Sequence, residues 1–179
     1  PGTVHVPYLL CVANRKPHKN LEMAVRVLAR LATEGAALQL VIAGEGGAQW
    51  ASVMALAEQL KVAVRVVDAG VVDDATLGAL YHHAECVLVP SRYEGFGFPL
   101  LEAMASGSPV VATRTTSIPE VAGSAARLVD DDDDKAMAHE VMALRASAEL
   151  RAACIEAGRR HAAMFTWERT TAQTAAVLL

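Results

Sequence analysis

Short apolar runs recur along this chain with amphipathic stretches between them. Tyr8 to Ala13, Leu38 to Ala43, Val64 to Val67, Cys86 to Val89, Val110 to Ala112 and Ala126 to Val129 have strand length, and their near-continuous apolar character suits strands buried on both faces. The intervening segments Leu21 to Ala32, Trp50 to Leu60, Ala75 to His83 and Leu100 to Ala105 carry Ala and Leu at helical spacing. Strand and helix alternation of this kind predicts an α/β fold, a doubly wound, Rossmann-like, mostly parallel six-stranded sheet. After Val129 the pattern turns purely helical, through Lys135 to Arg145, Ala148 to Phe165 and Trp167 onward, with Thr166 placed as an N-cap. A helical C-terminal tail without a stop signal is expected.

Composition narrows the possibilities without adding elements. With 179 residues, 53% of them apolar, the chain has the material for one domain with a substantial core. A formal charge of -4 and an aromatic content of 4% argue against nucleic acid as a partner, which calls for a basic stripe with aromatics interleaved. No apolar run approaches the ~20 residues of a membrane-spanning helix. Cys11, Cys86 and Cys154 are odd in number and far apart, and two of them sit in strand-like runs. Buried free thiols, and with them the cytoplasm, are expected. Pro1 to His5 contains neither the charged nor the apolar region of a signal peptide, and no initiating Met, so the chain reads as a piece of something longer.

The candidate chemistry falls at the carboxyl ends of the expected strands, where open α/β sheets bind ligands. Arg15, Lys16 and Lys19 form a cationic loop after the first strand, fitted either to a phosphate or, with Asn20 as a helix cap, to a solvated turn. Gly44-Glu45-Gly46-Gly47 ends the second strand and permits close backbone approach to a ligand. The dinucleotide fingerprint that would mark an NAD site is not completed there. The most informative stretch runs from Glu94 to Glu102, two glutamates eight positions apart. Between them, Gly95-Phe96-Gly97-Phe98 leads into a helix opened by Pro99, so a glycine loop aims backbone N–H groups and a helix dipole at an anion or a polyol. The two carboxylates also admit a glycosidase-type acid and base pair. Asp130 to Asp134 reads as a solvated loop in preference to a cation site. His82 and His83 read as exposed helix positions. No serine-hydrolase elbow, zinc-protease motif or paired cysteine motif occurs.

Taken in order, Pro90-Ser91-Arg92-Tyr93-Glu94-Gly95-Phe96-Gly97-Phe98-Pro99-Leu100-Leu101-Glu102-Ala103-Met104-Ala105-Ser106-Gly107 resembles the signature of the family 4 retaining glycosyltransferases. Lys19-Asn20-Leu21, Ile42-Ala43-Gly44-Glu45-Gly46, Gly70-Val71-Val72, Ile118-Pro119-Glu120-Val121 and Phe165-Thr166-Trp167-Glu168-Arg169 fit the same family at the right spacing. The resemblance implies one half of a GT-B fold, with residues 1-179 as the C-terminal, nucleotide-sugar-binding domain and the N-terminal acceptor domain lying outside the chain. It implies a hexosyltransferase whose donor is a nucleoside diphosphate sugar, with GDP-mannose favoured over UDP-sugars because Arg15-Lys16-Pro17-His18-Lys19-Asn20 resembles the loop of some mannosyltransferases. Glu94, Lys19 and Arg15 are the implied catalytic residues: Lys19, helped by Arg15, holds the diphosphate and Glu94 faces the donor sugar. Gly44, Val72, Gly95, Phe96, Gly97, Phe98, Leu101 and Glu102 are the implied donor-binding residues, with Glu102 on the ribose and Val72 on the base. Where the family usually places Gly and then Arg, this sequence has Ala13 and Asn14, with Arg15 one step later. No metal and no cofactor is implied. The acceptor is a sugar or a lipid-linked sugar, and any peripheral membrane contact belongs to the other domain. Two alternatives stay open: a non-catalytic nucleotide-sugar-binding module, and a GT-B-type epimerase or phosphorylase.

Overall fold

The computed structural model describes Val4 and residues 7–178. Apart from Val4, the Pro1 to His5 stretch, which is expected to carry no signal peptide, lies outside the described residues. Six strands form: β1 (Tyr8–Val12), β2 (Gln39–Ala43), β3 (Val66–Gly70), β4 (Cys86–Val89), β5 (Val110–Thr113) and β6 (Arg127–Val129). All pair in parallel, in the order β3-β2-β1-β4-β5-β6. The helices are α1 (Leu21–Thr33), α2 (Trp50–Gln59), α3 (Asp74–His83), α4 (Phe98–Ser106), α5 (Ile118–Ala122), α6 (Asp134–Ala146), α7 (Ala148–Ala162) and α8 (Trp167–Leu178). The doubly wound sheet with a helical tail is therefore the observed fold.

Alternation along each strand divides the core in two. Leu9, Cys11, Leu40 and Ile42 point into a layer shared with Met23, Val27 and Leu31 of α1, Val53 of α2 and Met137 and Val141 of α6. Their neighbours Tyr8, Leu10, Val41 and Ala43 point the other way, against Leu80 and Tyr81 of α3, Leu100 and Met104 of α4 and Val121 of α5. Both faces of the central strands are covered, which is why they read as unbroken apolar runs. Each fully buried Leu in these layers contributes about 2 kcal/mol in apolar surface removed from water. Along α7, Leu150 and Cys154 pack on the first layer and Ala157 and Ala162 on the second. Gly158 lets α7 approach α4 closely, since a Cβ there would meet Met104 Cγ at 3.2 Å.

Several local expectations need correction. The third strand lies two residues later than the valine run suggests. Ala63–Arg65 forms a 3-10 turn, and Val64 is 91% exposed. As the sheet's edge, β3 pairs only with β2 and is placed by that register, which shifts where Ala43 meets Gly70. Pairing outranked local hydrophobicity here. The 3-10 turn Pro17–Lys19 and the five-residue α5 were not anticipated, because both are too short to show a period. Thr166 does cap α8, its Oγ1 accepting the Arg169 N–H at 3.2 Å. Among the described residues, no helix is long and apolar enough to cross a membrane.

Candidate functional site

The connection after β1 leads to α1 on one face, and the connection after β4 leads to α4 on the other. Since β1 and β4 are neighbours, their loops diverge and leave a crevice at their carboxyl ends, the switch point of the sheet. Lys19 enters this crevice from the first loop and Glu94 from the second. Lys19 Nζ lies 2.7 Å from Glu94 Oε1 and 2.8 Å from Oε2, and the Ser91 hydroxyl donates to Oε1 at 2.7 Å. The two charged side chains are only 14% and 8% exposed. A charge this enclosed persists only with such partners.

The backbone around Glu94 is fixed as firmly as its carboxylate. Its N–H donates to Thr116 Oγ1 at 2.9 Å, and its carbonyl accepts from the hydroxyls of Thr116 at 3.0 Å and Ser117 at 2.9 Å. Thr116 stands at φ 44°, a left-handed conformation unusual for a β-branched residue, and these bonds hold it there. Neither Ser91 nor Thr116 was anticipated. The available signal was the hydroxyl run Thr115-Thr116-Ser117, one residue beyond the end of β5.

Beyond Glu94 the chain turns through the glycine loop into α4. Gly97 occupies the N-cap position at φ 100°, where a Cβ would meet Ile118 Cδ1 at 3.0 Å. Among the described residues, the N–H groups of Gly95, Phe96 and Gly97 donate to no protein acceptor. They and the α4 dipole offer a row of donors for an anion. Of five buried side-chain polar atoms without a partner among the described residues, three belong to Asn14, Arg15 and Asn20 of the facing loop. Orphans of this kind concentrate where function outweighs satisfaction.

The remaining expected residues divide between two flanking clefts. Gly44 and Val72 line a cleft of about 490 Å³ with Val12, Glu45 and Leu77, beyond the ends of β1 and β2. Leu101, Glu102, Phe96 and Phe98 line an apolar cleft of about 430 Å³ with Phe165 and Trp167. The buried Tyr81 hydroxyl donates to Glu102 Oε2 at 2.8 Å, which fixes an otherwise exposed carboxylate. Burial, with the Glu102 charge next to it, pushes the Tyr81 phenol well above its ordinary range.

Arg15 takes a different place from Lys19. Its guanidinium pairs with Asp68 of β3 and stacks over the Trp50 ring at 4.1 Å from the centroid. Asn20 stands at the N-cap of α1, as the solvated-turn alternative had it, but makes no side-chain cap bond. His82 and His83 are exposed. Among the described residues, no group of three or more His, Cys, Asp or Glu is gathered to hold a metal ion.

Comparison with known proteins matches this arrangement to a family. The family described as "Glycosyl transferases group 1" matches residues 4–161. O-antigen chain mannosyltransferase B of Escherichia coli is 32% identical over 168 residues, covering 93% of this chain and 44% of its own length. The GDP-mannose-dependent alpha-(1-6)-phosphatidylinositol dimannoside mannosyltransferase of Mycobacterium tuberculosis is 31% identical over 162 residues, 89% of this chain and 40% of its own. Among solved structures, sucrose-phosphate synthase of Thermosynechococcus elongatus superposes with a TM-score of 0.84 at 26% identity, over 96% of this chain and 44% of that one. The chain thus spans under half the length of each of these three relatives.

Proposed function

The chain belongs to the group 1 glycosyl transferases, and from that premise we propose that it is the donor-binding domain of a retaining hexosyltransferase using a nucleoside diphosphate sugar. The observation that carries this reading is the Lys19–Glu94 pair at the sheet's switch point, followed directly in the chain by the free N–H groups of Gly95, Phe96 and Gly97 that lead into α4. A lysine ammonium has three donors. Glu94 occupies two positions around Lys19, so the third N–H is available to a diphosphate oxygen while the pair stays intact.

In the proposed reaction the bond from the sugar's anomeric carbon to the diphosphate breaks, the acceptor's hydroxyl oxygen bonds to that carbon on the same face and gives its proton to the departing phosphate, and negative charge builds on the phosphate oxygens as they leave. Lys19 and the N–H groups of Gly95 to Phe98 are already oriented toward that charge, which makes their stabilisation of it efficient. They supply the positive field themselves, so no metal enters the proposal. Glu94 orients the sugar, Glu102 with Leu101 receives the ribose, and the cleft at Gly44 and Val72 receives the base. Arg15, held by Asp68 and Trp50, shapes the Gly44–Gly47 turn, since a Cβ on Gly47 would meet its carbonyl oxygen at 2.8 Å. The acceptor, a sugar or lipid-linked sugar, would bind to an N-terminal domain that this chain does not include. The buried thiols of Cys11 and Cys86, the latter pushed up to about 12 by burial, support a cytoplasmic placement.

GDP-mannose is the proposed donor, supported by two relatives above 30% identity that are named mannosyltransferases, one of them GDP-mannose-dependent. Calorimetric titration of the chain with GDP, UDP and ADP tests this. The expected result is binding of GDP in preference to the other two. Binding of UDP alone would refute the donor assignment, and binding of none would refute the site.

A further inference from the structure

The acidic run read as a solvated loop reaches both arms of the site. Asp132 Oδ1 accepts from Asn20 Nδ2 at 3.1 Å, Arg26 Nη2 at 2.9 Å and Arg92 Nη2 at 3.0 Å. Its Oδ2 accepts from Arg92 Nη2 at 2.7 Å and Nε at 3.3 Å. Each donor has a defined relation to the Lys19–Glu94 pair. Asn20 follows Lys19 directly, is fully buried, and takes a left-handed conformation at φ 51°, ψ 43° where the 3-10 turn carrying Lys19 meets α1. Arg92 follows Ser91 and precedes Glu94 by two residues, and its own N–H donates to the His18 carbonyl at 2.8 Å. Arg26 on α1 fixes the carboxylate from below. One side chain therefore ties the loop that presents Lys19 to the loop that presents Glu94.

The magnitudes separate this role from general stability. Asp132 and Arg92 are each 46% exposed, and exposed ion pairs contribute little to folding. Local geometry is more sensitive. A left-handed Asn is tolerated but not favoured, so its amide anchor matters to the placement of the residue before it. The Asp132 carboxyl is held below its ordinary range, chiefly by the hydrogen bonds from Arg92.

We infer that Asp132 is a positioning residue: by binding Asn20 and Arg92 together it holds Lys19 within bonding distance of Glu94, so that the ammonium is aimed before a nucleoside diphosphate arrives. This rests on the donor-site reading above. The test is a double-mutant cycle on GDP affinity, measured by calorimetry up to millimolar GDP, with thermal melting of each variant. Asp132→Ala is expected to weaken GDP binding roughly tenfold, within the coupling range of residues in one network, while the melting temperature falls by only a few degrees through the loss of the buried Asn20 amide's acceptor. Asp132→Asn retains an acceptor for the Asn20 amide and should fall between the two. In a Lys19→Ala background, Asp132→Ala should cost nothing further. Wild-type affinity in Asp132→Ala, or an undiminished additional loss in the Lys19→Ala background, overturns the inference and leaves the site reading standing. Unchanged affinity in Lys19→Ala alone overturns the site reading, and this inference with it.

Discussion

Replacing Lys19 by Ala is expected to weaken GDP binding roughly tenfold to a hundredfold, because a hydrogen bond to a charged group contributes about 1.5–3 kcal/mol and each 1.4 kcal/mol is a factor of ten. The same change removes the cation from a carboxylate that is 8% exposed, so stability falls as well. Breaking a buried pair by deleting one partner costs up to about 3–5 kcal/mol. Here the Ser91 hydroxyl remains on Glu94 and lowers that figure. Loss of affinity and loss of stability can be told apart by adding Glu94→Gln to Lys19→Ala. The neutral amide no longer needs a cation, so melting temperature should recover most of its loss while GDP affinity does not return. If affinity returned along with stability, Lys19 would be a structural residue, and the diphosphate would be held elsewhere.

A second large effect is expected at Gly44, for steric reasons. It sits at φ 133°, and a Cβ there would lie 2.4 Å from the Ala13 carbonyl oxygen and 2.8 Å from its carbon. Both are backbone atoms, so no side chain can swing aside. Ala13 N–H is bonded to the Ala43 carbonyl at 2.9 Å, and Gly44 N–H to that of Gly70 at 2.8 Å. Relief must come from parting the ends of β1 and β2, the floor of the proposed base cleft. Gly44→Ala should cost about 3 kcal/mol in combined backbone strain and overpacking. For a chain of this size that lowers the melting temperature by roughly 6–12 °C. Gly35→Ala is the control, since Gly35 also has a positive φ, 83°, but nothing lies within 4 Å of its added Cβ. It should lose only about 1 kcal/mol. Equal losses at the two sites would show that the dihedral, and not the contact with Ala13, governs Gly44.

The two effects differ in how readily the sequence announces them. Lys19, Glu94 and the glycine loop are legible because each stands at the end of an apolar run, where a parallel sheet exposes its binding edge. The fold is legible for a related reason. Central strands covered on both faces must be apolar throughout, and Leu9 to Cys11 or Leu40 to Ile42 can hardly be anything else. At the edge that constraint relaxes, and β3 tolerates Asp68 within the strand while Val64 stays in solvent. Arg15 shows the limit of local reading. Its position beside Lys16 and Lys19 suggests a shared phosphate, yet it pairs with Asp68 across 53 positions of sequence. Asp132 is hidden more deeply, 112 positions from Asn20, in a run whose composition alone points to solvent. Folding, not spacing, brings these groups together.

The glutamates illustrate the same distinction. Eight positions of sequence suggest a paired function, but the folded chain gives the two carboxylates separate partners: Lys19 and Ser91 for Glu94, Tyr81 for Glu102. On the proposed reading these two settings serve the two ends of one elongated ligand, the sugar at Glu94 and the ribose at Glu102.

A crystal structure of the chain with GDP tests the central claim most directly. The account predicts the diphosphate in the crevice between the ends of β1 and β4, with one of its oxygens on Lys19 Nζ and others on the N–H groups of Gly95 to Phe98. GDP bound with its phosphates away from Lys19 and from the glycine loop would contradict it.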